Sequence, residues 1–383
     1  MTVGWDADAM VQAWPGLPPL AGDASADACV VGLGASGLAA VEALLSRGLS
    51  VIGVDAGRVA AGAAGRNGGF LLGGPELPLH QAIAAWGPAV VDLYRETLAE
   101  IDTLEAVLPP GVLRRTGSIR LAGLPGPARD ADEQHDREQE AQDCRAHAAA
   151  LREHGIAVED YDGPLGVGFF VPDDAAVNPA VRALTLARGL EHRAALREHT
   201  PVSRVQAGSV TTAHGVVTAP VVIVAVDGRL DRLVPQLAGR VRTARLQMLA
   251  TAPVAPRLDC PVYGRWGYDY AQQGVDGRLY VGGGRDRHAE AEWTYAAEPT
   301  PGVQGWIEDV AARMAGGPVT VQDRWAASAG FSAEGRPLCV RVADGVVAVG
   351  GYDGTGNLVG PVAARAAVAY ALDGTEPPPY LAA

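Results

Sequence analysis

Six residues early in the chain have the types and spacing to hold a pyrophosphate. Gly32-Leu33-Gly34-Ala35-Ser36-Gly37 reads G-x-G-x-x-G, directly after the apolar run Cys29-Val30-Val31 and directly before a helix-forming stretch. Gly32 permits a tight turn, Gly34 lets the backbone approach the phosphates, and Gly37 allows helix and strand to pack closely. The helix opening at Ala35 and Ser36 offers unpaired N–H groups and the positive end of its dipole to the same phosphates. Asp55 stands 18 residues beyond Gly37 (55 − 37), at the end of the next apolar run, with Ala56 after it. A carboxylate there accepts hydrogen bonds from an adenosine ribose.

The fingerprint serves NAD and FAD alike. The next segment, Gly62-Ala63-Ala64-Gly65-Arg66-Asn67-Gly68-Gly69-Phe70, favours FAD. The ribityl and ring arm of FAD runs on past the pyrophosphate, and a second loop of small residues lets backbone amides approach it. Arg66 or Asn67 can meet a phosphate or the flavin edge. A third piece closes the chain: the apolar Val346–Val349, then Gly350-Gly351-Tyr352-Asp353-Gly354-Thr355-Gly356-Asn357, then a helix from Pro361. A helix N-terminus aimed at the pyrimidine end of a flavin stabilises negative charge on the reduced ring.

Periodicity supplies the elements that position these turns. Strands are expected at Cys29–Leu33, Ser50–Val54, Gly117–Leu121, Val221–Val226 and Gly345–Val349. Helices are expected at Ser36–Arg47, Pro88–Leu108, Asn178–Arg197, Thr300–Met314 and Pro361–Leu372, with Asp130–His154 a long, charged, solvated one. Val202–Val205, Ser209–Ala213 and Gly215–Thr218 suggest a small strand set. Arg242–Ala252 and Val262–Gly283 alternate like antiparallel strands. Strand–helix alternation at both ends with an antiparallel middle implies an α/β chain. Met1–Asp27 reads as an irregular lead-in.

Composition narrows the chemistry. All 31 basic residues are arginine, so Schiff-base lysine enzymes and P-loop kinases of the G-K-[ST] type are excluded. A net charge of −13 without a basic cluster argues against nucleic acid or an anionic membrane as partner. No apolar run is long enough to span a bilayer. The N-terminus has no signal-peptide pattern, and Cys29, Cys144, Cys260 and Cys339 are scattered, which fits a reducing cytoplasm. The 8 histidines show no metal-ligand spacing, so no metal site is expected.

The three glycine pieces, in this order, resemble the D-amino-acid-oxidase-like superfamily of FAD-dependent oxidoreductases. The branch with glycine oxidase, sarcosine oxidase and gamma-glutamylputrescine oxidase is most similar. Ala60–Phe70, the strand Leu246–Pro253, the hairpin Tyr268-Asp269-Tyr270 with Asp276–Gly284, and the closing segments Trp325–Pro337 and Gly350–Gly360 carry the resemblance. It implies a discontinuous Rossmann-like FAD-binding domain (24–82, 172–242 and 326–383) and a mixed-sheet substrate domain (83–171 and 243–325), after the lead-in 1–23.

The resemblance further implies that Val202 lies on the adenine side and that Ala225 and Val226 lie against the cofactor. Tyr268, Tyr270, Gln272, Arg265 and Arg285 become substrate-side candidates. Relatives that oxidise D-amino acids carry an arginine after a Gly-aromatic pair; here Ser332 follows Gly330-Phe331, so a carboxylate would need Arg265, Arg285 or Arg336. Trp325–Gly335 contains no cysteine, so FAD is expected to be non-covalent.

The implied reaction oxidises the C–N bond of a small amine or amino acid by hydride transfer to flavin N5, after which the imine hydrolyses. Positioning and desolvation carry most of such catalysis. Related oxidases use a lysine to activate oxygen, and this chain has none, so oxidase and dehydrogenase both stay open, with O2 or another electron acceptor. The alternatives are an FAD enzyme acting on a non-amine substrate and an FAD-binding protein without turnover.

Overall fold

The computed structural model describes residues 3–382. The chain is a mixed α/β protein built on two principal sheets. The first has six strands in the spatial order Ala195–Arg197, Val51–Val54, Ala28–Val31, Val221–Val224, Val346–Gly350 and Leu338–Ala343. The first five run parallel and the sixth antiparallel. Ala28–Val31, Val51–Val54 and Val346–Gly350 are buried at every position. Such unbroken apolar runs arise because helices cover a parallel sheet on its faces. Helix Ala35–Ser46 and helix Val359–Asp373 pack against each other on one face.

The second sheet has eight strands: Val321–Ser332, Val241–Pro253, Arg278–Gly282, Asp269–Gln273, Val262–Gly264, Ser118–Leu121, Gly166–Val171 and Glu159–Gly163. One row of directly paired residues crosses all eight: Trp325, Met248, Gly282, Tyr270, Tyr263, Arg120, Phe169 and Asp160. Residues paired this way project from the same face of a sheet. The other face carries Leu249, Ala271, Val281, Val262 and Ile119, which form an apolar core with Val303, Ile307, Val310 and Met314 of helix Pro301–Ala315.

Three expectations are corrected. The helix predicted over Asn178–Arg197 ends at Leu190, and Ala195–Arg197 turns back as a parallel edge strand beside Ile52–Val54. Ladder bonds to that exposed sheet edge outweigh local helix propensity. The lead-in is not irregular throughout. A 3-10 turn Gly4–Ala7, a helical turn Ala9–Gln12 capped by Asp8 and a short strand Ala24–Ser25 order it. Trp5 stacks on Tyr280 with ring centroids 3.5 Å apart. Buried Glu198 accepts hydrogen bonds from Trp14 Nε1 at 3.0 Å, the Leu17 amide at 2.8 Å and the Val59 amide at 2.7 Å. The charged helix, Ala131–Glu153, is not simply solvated. Its Glu133 is buried against Arg313 at 2.6 Å, and its Glu140 accepts the Gly123 amide at 2.6 Å.

Candidate functional site

The first glycine turn links strand Ala28–Val31 to helix Ala35–Ser46. Gly32 has φ +96°, and a Cβ there would fall 2.5 Å from the Ala225 carbonyl oxygen. A Cβ on Gly37 would fall 1.7 Å from the Gly32 carbonyl oxygen. Both positions therefore require glycine. Gly34, the helix N-cap, makes no side-chain cap bond. The first N–H groups of the helix, through Ala35 and Ser36, are thus unspent on the helix itself. A Cβ on Gly34 would meet nothing closer than Ala64 Cβ at 3.6 Å, and one on Gly62 nothing within 4 Å. The space between the two loops stays open at the point where only backbone approaches it, which fits a pyrophosphate.

Asp55 stands at the end of strand Val51–Val54, beside the first turn. Its carboxylate accepts the Leu33 amide at 2.8 Å and the Gly57 amide, just past Ala56, at 2.9 Å, one bond to each oxygen. Burial pushes its carboxyl above the usual range against those two bonds. Each oxygen keeps a second lone pair for a ribose hydroxyl. The Asp55 carbonyl accepts the Thr200 amide at 2.7 Å, which brings Val202 to the same edge. On the other side the Ala225 amide bonds the Val31 carbonyl at 2.8 Å, so Ala225 and Val226 adjoin the glycine turn.

The second loop is stiffer than its composition suggested. Ala63–Arg66 forms a helical turn and Phe70–Leu71 a short strand paired with Ala175–Ala176. A Cβ on Gly65 would fall 2.3 Å from the Ala60 carbonyl oxygen, and Gly69 has φ +74°. Arg66 is held by Asp6 through two hydrogen bonds of 2.7 and 3.1 Å. Asn67 donates to the Ala63 carbonyl at 2.9 Å and to Asn357 Oδ1 at 3.2 Å, and accepts the Gly69 amide at 2.8 Å. Both side chains therefore shape the loop, and its backbone lines the open space.

The third turn meets the first two. Ser36 Oγ donates to the Tyr352 hydroxyl at 2.7 Å. Asn357 Nδ2 donates to Asn67 Oδ1 at 3.0 Å and to the Phe70 carbonyl at 2.9 Å. Gly351 and Gly354 have φ +67° and +94°, Thr355 Oγ1 donates to the Tyr352 carbonyl at 2.7 Å, and a Cβ on Gly356 would touch the Tyr352 ring at 3.1 Å. Two clamps close this turn. Asp227 accepts the Gly330 and Gly351 amides, each at 2.9 Å. Arg182 donates to Asn357 Oδ1 at 3.0 Å and its carbonyl at 2.7 Å; burial lowers this guanidinium to about 10. The resemblance places the strand end Ala225–Gly228 against the cofactor, but neither the clamping role of Asp227 nor Arg182 carries a local signal.

The substrate-side candidates divide. Tyr270 and Tyr263 stack with centroids 5.6 Å apart, and Phe70 sits edge-on to them at 5.6 and 5.2 Å. Burial raises both phenols, that of Tyr263 to about 12, so both stay protonated. A Cβ on Gly68 would lie 3.1 Å from the Tyr270 ring, so this tyrosine directly adjoins the second loop. Arg285 lies over the Phe331 ring at 4.4 Å, the Trp293 ring at 5.2 Å and the half-exposed Tyr268 ring at 5.9 Å. Near it are Glu76 and Asp353. Burial raises both carboxyls, that of Asp353 to about 8, while Arg285 draws both down.

The other two candidates are engaged. Gln272 donates to the Gly68 carbonyl and accepts from Arg114 at 2.9 Å. Arg265 pairs with Asp269 at 2.6 Å and with Asp286. Arg336 is likewise engaged at the surface, donating to the Pro379 carbonyl at 3.1 Å.

Strand, glycine turn, helix and a distal mixed sheet over three converging loops define a dinucleotide-dependent oxidoreductase architecture. The family model of the DAO proteins, described as FAD dependent oxidoreductase, matches residues 27–370, and the chain belongs to this family. It is similar to gamma-glutamylputrescine oxidoreductase of Escherichia coli (strain K12), 27% identical over 281 residues, which is 67% of this chain and 64% of that enzyme. The match thus spans just under two thirds of that relative. The chain is also similar to a probable oxidoreductase, OrdL, of Rhizobium meliloti (strain 1021), 24% identical over 387 residues, covering 92% of this chain and 84% of that one. Its fold matches glycine oxidase from Geobacillus kaustophilus with a TM-score of 0.72, at 19% identity over 92% of this chain and 96% of that one. No helix among the described residues is long and apolar enough to cross a membrane.

Proposed function

We propose that the chain oxidises the C–N bond of a small amine or amino acid, with FAD held non-covalently in the cleft between the three glycine turns. The carrying observation is their convergence, tied by Ser36–Tyr352 and Asn67–Asn357, beside the sheet face that bears Tyr263 and Tyr270. On this reading the FAD-binding unit comprises 24–82, 172–242 and 326–383, and the substrate unit 83–171 and 243–325. FAD, when bound, supplies the acceptor for the hydride leaving the carbon beside the nitrogen.

The chain's own residues do the positioning. Gly32, Gly34, Gly37 and the amides of Ala35 and Ser36 receive the pyrophosphate. Asp55 receives the ribose, and the backbone of Gly65–Phe70 and of Gly351–Asn357 borders the ring. Tyr270 and Tyr263 wall off water and hold the substrate carbon, since both phenols remain neutral. Arg285, with no hydrogen bond or ion pair among the described residues, offers a cation at the rim. Gln272 and Arg265 act as positioning residues, the first by fixing the Gly68 carbonyl. The electron acceptor is O2 or another oxidant, and the scattered free cysteines accord with a cytoplasmic setting.

The products test this. Incubating the flavin-loaded protein with amines and amino acids should release a carbonyl compound, trapped as its hydrazone, together with ammonia or the smaller amine. Flavin reduction without any such nitrogen release would remove the C–N reading.

A further inference from the structure

Arg120 is a half-buried cation that makes no ion pair among the described residues. It lies on strand Ser118–Leu121, directly paired with Tyr263 and Phe169, so it leaves the sheet on the face that carries Tyr263 and Tyr270. Its guanidinium sits over the Tyr263 ring at 5.0 Å. Its Nε is buried and has no hydrogen-bond partner. Among the described residues no carboxylate comes within ion-pair distance of it. The nearby acid, Asp174, feels the charge of Arg120 but makes its bonds elsewhere: its oxygens accept the Gly73 amide at 2.8 Å and the Ser118 hydroxyl at 2.6 Å.

Three more buried polar atoms lack partners; His147 and Tyr94 lie near enough to feel the charge of Arg120, and His80 lies near His147. His147 Nε2, His80 Nδ1 and the Tyr94 hydroxyl are buried without partners. The His147 ring stands edge-on to Phe169 at 5.1 Å, the residue paired with Arg120. Burial, with Arg120 and His80 nearby, holds the His147 imidazole down to about 3, so it stays neutral. Every one of these groups can donate a hydrogen bond. Each buried polar atom left without a partner costs roughly 1–3 kcal/mol, so packing alone does not account for the set. Unpaired donors near a guanidinium match a carboxylate, which arginine binds through two parallel bonds.

We propose that Arg120, with His147, His80 and Tyr94, forms a subsite for a carboxylate carried at the far end of the amine substrate. The proposal rests on the C–N oxidation proposed above and specifies its substrate class. The Arg120 strand stands two strand spacings from that of Tyr270, roughly 10 Å. A carboxylate on the reacting carbon itself would not reach it when the C–N bond lies beside Tyr270. The fitted substrate is therefore an amine with a remote carboxylate.

Two measurements on FAD-loaded enzyme test the subsite. In calorimetric titration, hexanoate, which has no amine to oxidise, should bind wild type and bind Arg120→Met at least 10-fold more weakly. In steady-state kinetics, a series of ω-amino carboxylates should exceed alkylamines of matched length in kcat/KM. That preference should fall at least 100-fold in Arg120→Met, mainly through KM, and recover in part in Arg120→Lys, which also serves if the Met variant does not fold. Hexanoate binding that is absent from wild type or equal in the variant overturns the subsite, as does an unchanged preference. The two readings separate cleanly. Amines oxidised regardless of their tail sink the subsite alone, whereas Arg120-dependent hexanoate binding with no amine oxidised sinks the C–N reading alone.

Discussion

Ser36 and Tyr352 stand 316 residues apart and share a 2.7 Å hydrogen bond in which the serine hydroxyl donates. The bond fastens the first turn of helix Ala35–Ser46 to the last glycine turn of the chain, and both side chains are buried. Replacing Tyr352 by Phe leaves the Ser36 hydroxyl without its partner. Thermal unfolding of Tyr352→Phe should show a loss of about 1–2 kcal/mol, and FAD should bind more weakly because two loops that border it are no longer tied.

Gly34 and Gly37 of the first turn should behave oppositely. Gly37→Ala drives a Cβ to 1.7 Å from the Gly32 carbonyl oxygen, so the backbone must shift, and the apoprotein should lose about 1–3 kcal/mol or more. Gly34→Ala meets only Ala64 Cβ at 3.6 Å and keeps an ordinary φ of −81°. Its apoprotein stability should stay within about 0.5 kcal/mol of wild type, while FAD affinity falls at least 10-fold. Calorimetry on apoprotein and a flavin titration read the two effects separately.

Glu198 anchors the N-terminal segment. Its carboxylate accepts from Trp14, Leu17 and Val59. Glu198→Ala strands three donors and should destabilise the protein by about 3 kcal/mol or more. Limited proteolysis should then cut first within residues 3–23; a variant as resistant as wild type there would contradict the anchoring.

Asp174 gives a pH signature. Burial holds its carboxyl up at about 6, although Arg120, Ser118 and the Gly73 amide pull it down. The folded protein therefore keeps the acid protonated while the unfolded chain ionises it near the ordinary value of 3.8. A group raised in this way contributes its stability below the unfolded value and loses it as pH rises to the folded one. Asn in its place can still accept the Gly73 amide and donate to Ser118. The melting temperature of Asp174→Asn minus that of wild type should rise between pH 4 and pH 6 and then level. A flat difference would mean that Asp174 is ionised throughout.

The glycine turns were legible because their demands are local. Gly37 is fixed by an atom of its own strand–turn–helix unit and Gly32 by the positive φ of its own turn, and that unit is written contiguously. The resemblance likewise covered residues whose neighbours in sequence are their neighbours in space. The clamping roles of Asp227, Arg182 and Glu198 were illegible because each acts on backbone more than 100 residues away. Arg120 was illegible for a related reason: only the register of strand Ser118–Leu121 beside Val262–Gly264 puts it in line with Tyr263. The strand Ala195–Arg197 was read as helix because the sheet edge that recruits it, Val51–Val54, lies far upstream.

The direct test of the account is anaerobic reduction of the protein's own flavin. Purified protein, loaded with FAD, should show the oxidised flavin spectrum, release the cofactor on acid precipitation, and bleach when an oxidisable amine is added, but not with the matching hydroxy acid. Failure to bind FAD, or bleaching by hydroxy acids while every amine leaves the spectrum unchanged, would contradict it.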